Sequence, residues 1–108
     1  MTDSPAKPRL LIVDDEPEVR SVLHDLLCGM YQCAEASSAE EALAQLREQV
    51  FDLVISDITM SGMSGLEMIP HVKTVSPDTV IVMISGIQTI ESLARSLFAN
   101  FQRRNKFW

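Results

Sequence analysis

Residues 9–19 read RLLIVDDEPEV. An apolar run, Leu10 to Val13, leads straight into three adjacent carboxylates, Asp14, Asp15 and Glu16, and then into Pro17. Apolar chain without alternation is expected of a strand covered on both faces. After Pro17 the residues Val19, Val22, Leu23, Leu26 and Leu27 recur at helical spacing, which predicts an amphipathic helix. Pro17 suits its first turn, where a missing N–H costs nothing, and Gly29 is expected to mark its end. Three negative charges at the mouth of a buried strand repel one another. Either they are solvated helix-start charges favoured by the macrodipole, or a cation belongs among them.

Outward from this stretch the pattern repeats. YQCAEA (31–36) reads as a second strand and SSAEEALAQLREQ (37–49) as a helix. Ser37 and Ser38 are each followed three residues later by a glutamate, Glu40 and Glu41, the capping-box spacing. FDLVIS (51–56) is another buried strand, ending at Asp57, and the loop DITMSGMSG (57–65) follows. LEMIPHVKTV (66–75) predicts a helix interrupted or bent near Pro70. TVIVMIS (79–85) is rich in β-branched residues and reads as a strand. Strands alternating with helices imply an α/β fold, a doubly wound parallel sheet with helices on both faces. In such sheets reactive groups lie at the carboxyl ends of strands, near the point where strand order reverses.

At those ends stand Asp14 and Asp15, then Asp57, then Ser85-Gly86. Aspartate oxygens are ligands for a hard divalent ion, and magnesium uses one or two carboxylates plus waters and phosphate oxygens. A carboxylate beside such an ion can attack phosphorus to form an acyl phosphate, a transfer that needs positioning and charge neutralisation more than a strong base. Asp57 is the candidate nucleophile. Ser85 is the candidate hydrogen-bond donor to a phosphoryl oxygen, and Gly86 leaves room for that oxygen. An ordinary turn-forming aspartate and a turn serine are the bland alternatives.

The blocks LLIVDDEPEVRSVL, FDLVISDITMSGMSGLEMI and TVIVMISG resemble, in order and without a gap from residue 9 to about 90, the receiver domain of bacterial two-component response regulators. The resemblance implies a flavodoxin-like three-layer sandwich with strand order 2-1-3-4-5. It implies that Asp57 accepts a phosphoryl group from a sensor histidine kinase. Asp15 would bind Mg2+ directly, Asp14 would support it partly through water, and Asp57 and the Thr59 backbone carbonyl would complete the protein ligands. Ser85 would be the switch hydroxyl that reports to a downstream effector domain or protein. Two departures stand out. Ser61 occupies the position where the family usually has a proline, which is expected to loosen the loop. The family's lysine at the end of a fifth strand matches Lys106 only after a one-residue gap, with Arg103 at the aromatic switch position and Phe107 in place of a proline.

The tail admits two readings. One sets NFQRRNKFW (100–108) as a fifth strand with Lys106 contacting phosphate. In the other, Ile90, Leu93, Ala94, Leu97, Phe98 and Phe101 form one helical stripe capped by Thr89, and a regular fifth strand and fifth helix are missing. The second would expose apolar surface on the sheet and first helix and favour a homodimer or domain swap. Residues 1–8 are expected to be a flexible lead, residues 9–108 the receiver domain, and about 89–108 its atypical part.

The bulk properties agree with a small signalling domain. The 108 residues, 46% of them hydrophobic, fit one domain with a modest core. The net charge of −6 argues against a nucleic-acid or anionic-membrane binder. All 15 acids lie in residues 1–94, whereas four of the nine bases lie in residues 95–108. That basic end reads as a solvated helix end. Cys28 and Cys33 match neither a redox nor a zinc spacing and are expected to be buried free thiols. No apolar run approaches the ~18 residues of a membrane span, so a cytoplasmic protein with no membrane partner is expected. His24, His71 and the six methionines have no ligand spacing and read as surface or packing residues. Two rival functions remain open: a receiver-shaped interaction module that does not switch, and a phosphatase with an aspartyl nucleophile. Thr59 argues against the phosphatase, because acid–base turnover commonly wants a second aspartate at that position.

Overall fold

The computed structural model describes residues 7–84. Their elements run β1 (Arg9–Val13), α1 (Pro17–Leu27), β2 (Gln32–Ala36), α2 (Ala39–Glu48), β3 (Leu53–Asp57), α3 (Gly65–Val75) and β4 (Val80–Ile84). The four strands form one sheet in the order β2-β1-β3-β4, and every pairing is parallel. The order is the first part of the doubly wound pattern expected from the sequence. The readings of the tail, including Ser85, Lys106 and a fifth strand, fall outside the described residues.

Period-two geometry explains why residues 10–13 are apolar throughout. Leu10 and Ile12 point to one face, where they pack with Leu23 and Leu27 of α1, with Ile55 and with Val82. Leu11 and Val13 point to the other, where they join Leu43, Leu46, Phe51, Val54, Met68 and Val72. Each of Leu10, Leu11 and Ile12 is fully buried. One helix therefore covers one face, and α2 with α3 covers the other. Right-handed crossovers produce this split, because the chain moves leftward from β1 to β2 and rightward from β2 to β3 and on to β4. The reversal falls between β1 and β3, whose carboxyl ends lie side by side in register, Val13 opposite Ser56.

Several local expectations change. The helix α1 ends at Leu27, with Cys28 as its C-cap in right-handed geometry. Gly29 is thus no left-handed cap, and Gly62, φ 78°, is the positive-φ glycine among the described residues. Cys28 and Cys33 are free but not buried: Cys28 is exposed at the helix end and Cys33 is half-buried on the edge strand β2. Pro70 does not interrupt α3, which runs through it to Val75. The helix tolerates the lost N–H where Pro70 is exposed to solvent, and the Thr74 hydroxyl donates to the Pro70 carbonyl at 3.0 Å. Ser38 caps α2 by accepting from the Glu41 N–H, but Glu41 reaches back to the N–H and hydroxyl of Ser37 rather than to Ser38. The reciprocal capping box forms at α3, between Ser64 and Glu67.

Candidate functional site

The end of β1 is built by backbone geometry before any ligand enters. The Asp14 N–H donates to the Ala36 carbonyl at 3.2 Å, carrying the β1–β2 pairing one residue past the strand. Its carboxylate then turns back, and Oδ1 accepts from the Glu16 N–H at 2.9 Å. This Asx turn fixes the Asp14 rotamer and starts α1. Arg20, one turn into α1, clamps the same corner from the other side. Its Nη1 donates to the Asp14 carbonyl at 2.6 Å, and its Nε pairs with Glu35 of β2 at 3.2 Å.

The end of β3 is fixed by close packing. Asp57 lies opposite Ile84 of β4, and the next N–H, that of Ile58, donates to the Ile84 carbonyl at 3.0 Å. The chain then loops out and returns so tightly that the Gly65 N–H donates to the Ile58 carbonyl at 2.8 Å. A Cβ on Gly65 would lie 2.1 Å from the Asp57 carbonyl oxygen and 3.1 Å from the Ser56 hydroxyl. Only glycine lets the start of α3 sit against the aspartate-bearing strand end. Within the loop, the Thr59 N–H donates to Asp57 Oδ1 at 3.4 Å and the Ser61 N–H to Asp15 Oδ2 at 3.2 Å. The Met63 N–H donates to Glu40 Oε2 of α2 at 3.4 Å. The looseness expected of Ser61 is thus offset by a tie across the site.

Asp14, Asp15 and Asp57 converge: each offers a carboxylate oxygen, and these atoms lie within 4.8 Å of one another. Asp14 is buried, Asp57 half-buried and Asp15 exposed. Burial is the main cause that raises the Asp14 carboxyl above its ordinary range, and the negative charges of Asp57, Asp15 and Glu16 push the same way; the Glu16 N–H opposes them. Three hard oxygen donors, mutually repelling and open on one side, fit a small divalent cation such as Mg2+, which takes a few carboxylates and keeps waters and phosphate oxygens for the rest.

The sequence-derived set is therefore assembled in part. Asp14, Asp15 and Asp57 meet, and Thr59 lies directly beside Asp57. Ile84 is brought next to Asp57, and Ser85 follows it in the chain, outside the described residues, as does Lys106. Sequence reasoning missed the contributions of Arg20, Glu40, Gly65 and the Ser61 N–H. For Gly65 the signal was present, a glycine one residue after a serine that begins a Ser-x-x-Glu box. For Arg20 and Glu40 no local pattern distinguishes them from solvated helix charges.

A family model described as the response regulator receiver domain matches residues 10–103. The chain is 36% identical over 91 residues to the transcriptional regulatory protein ZraR of Salmonella typhimurium, a match that covers 83% of this chain and 21% of that protein. A response regulator receiver protein from Pseudomonas putida shares 30% identity at a TM-score of 0.68, covering 88% of this chain and 81% of that one. The chemotaxis protein CheY4 of Vibrio cholerae, 24% identical, superposes with a TM-score of 0.77 over 87% of this chain and 98% of its own, and supports the fold. The chain belongs to the response regulator receiver domain family. Receiver domains are signalling domains rather than typical enzymes. The chain spans about a fifth of the length of the ZraR relative. Among the described residues no helix is long and apolar enough to cross a membrane.

Proposed function

We infer that this domain receives a phosphoryl group on Asp57 from a phosphohistidine of a sensor kinase in the cytoplasm, and passes the signal to an effector domain or protein. The observation that carries the reading is the convergence of the Asp14, Asp15 and Asp57 carboxylates within 4.8 Å at the switch point between β1 and β3.

In the step proposed, an Asp57 oxygen attacks phosphorus, the new C–O–P linkage forms, and the P–N bond to the kinase imidazole breaks, its electron pair staying on the leaving nitrogen. A bound Mg2+ would neutralise the charge on the phosphoryl oxygens. Asp14, Asp15 and Asp57 would hold that ion, with the Thr59 carbonyl as a further ligand. Asp57 is positioned by the Thr59 N–H at 3.4 Å on Oδ1 and by the anchored β3 end. Ser85, next in the chain to the residue paired with Asp57, would donate to a phosphoryl oxygen, and Lys106 would neutralise it. Phosphorylation adds charge beside the β3–α3 loop and β4, the elements that would carry the switch. Self-association is a further part of this reading: Val22 and Leu26, one turn apart on α1, are 45% and 47% exposed.

The test is incubation with acetyl phosphate and magnesium followed by intact mass measurement. One phosphoryl adduct is expected on the wild type, none on Asp57→Asn, and none when the magnesium is chelated. An equal adduct on Asp57→Asn would contradict the assignment.

A further inference from the structure

We propose that the backbone N–H of Ser61 is a positioning group for Asp15 in the metal site. This rests on the metal-binding reading above and goes beyond it, because it assigns a role to a residue outside the ligand set. Asp15 is the exposed member of the carboxylate cluster. An exposed aspartate has several rotamers open to it, and ordering one costs entropy when a cation binds. The Ser61 N–H donates to Asp15 Oδ2 at 3.2 Å across a sequence separation of 46 residues. In that same arrangement Asp15 offers an oxygen within 4.8 Å of those from Asp14 and Asp57. The bond is therefore compatible with the gathered carboxylates. A carboxylate has about four lone-pair sites, so one N–H leaves ample capacity for a cation.

The donor itself is well held. The loop that carries it is closed at its base by the Gly65 N–H on the Ile58 carbonyl at 2.8 Å. Farther along, the Met63 N–H on Glu40 ties the loop to α2, and Gly62 makes the positive-φ turn between them. A proline at position 61 would have no N–H to give. Ser61 thus supplies a hydrogen bond that proline could not, and it acts through the main chain rather than the hydroxyl. Hydrogen bonds to ligating carboxylates commonly matter about 10- to 100-fold in metal affinity.

Amide NMR during a magnesium titration tests this, comparing the wild type, Ser61→Ala and Ser61→Pro. The alanine variant keeps the N–H and is expected to bind magnesium like the wild type. The proline variant is expected to bind roughly tenfold more weakly. Wild-type protein carries an independent readout: the Ser61 amide proton should shift and exchange faster in Asp15→Ala, and should stay protected when magnesium saturates the site. Equal or tighter binding by Ser61→Pro would overturn the positioning role while leaving the metal site standing. A Ser61 amide indifferent to Asp15→Ala would do the same, even if the proline variant fails to fold. If magnesium perturbs none of the proteins, the metal-binding reading falls, and this inference with it.

Discussion

Asp14 carries a cost that the fold accepts. Its burial, reinforced by Asp57, Asp15 and Glu16, raises its carboxyl above the ordinary value of 3.8. The folded protein thus retains a proton at pH values where the unfolded chain has released it. Stability falls as pH rises through that window. Asp14→Asn, which keeps an oxygen for the Glu16 N–H, should raise the midpoint of thermal unfolding at pH 7. The gain should shrink as pH falls toward 3.8; a gain that is constant with pH would mean that charge is not the cause. Glu41 behaves oppositely. The N–H and hydroxyl of Ser37 hold its carboxyl below the usual range, so its contribution is present at neutral pH and lost in acid. Gly65 is constrained by space rather than charge. Gly65→Ala would drive a methyl group into the Asp57 carbonyl and should cost about 2 kcal/mol or more in urea unfolding.

Among the elements, the described strands and helices were legible because short apolar runs without alternation are set between segments with a 3.6-residue apolar period. The runs 10–13 and 53–55 are apolar on both faces, which only a doubly covered strand requires. The boundaries were less legible. Helix α3 passes Pro70 because one missing hydrogen bond on an exposed face is outweighed by burial of Met68 and Val72. Restoring the N–H with Pro70→Ala should therefore stabilise the protein by about 1–3 kcal/mol in chemical denaturation. The capping box was expected at α2 and is complete at α3, since Glu41 is held by Ser37. Ser64→Ala should cost about 1 kcal/mol of unfolding free energy. The carboxylates of the site were readable as strand-ending acids. The ties made by Arg20, Glu40 and the Ser61 N–H were not, because each joins segments distant in sequence through groups that many residue types could supply.

Among the described residues, the two faces of a parallel sheet are buried under three helices, and one edge collects like charges. The sheet brings Asp14, just past β1, and Asp57, at the end of β3, to neighbouring strand ends, where the crossovers depart in opposite directions. A cation that binds there stabilises the folded state by mass action, by about 2.7 kcal/mol at a hundredfold excess over its dissociation constant. Magnesium should accordingly raise the thermal midpoint of the wild type and have little effect on Asp15→Asn. In the function proposed above, this carboxylate cluster places phosphorus on Asp57. Treatment with acetyl phosphate and magnesium, then borohydride reduction and peptide mapping by mass spectrometry, tests it most directly. Position 57 alone should be converted to homoserine, the reduction product of an aspartyl phosphate. Conversion at another acidic residue, or none at position 57 in magnesium-saturated protein, would contradict it.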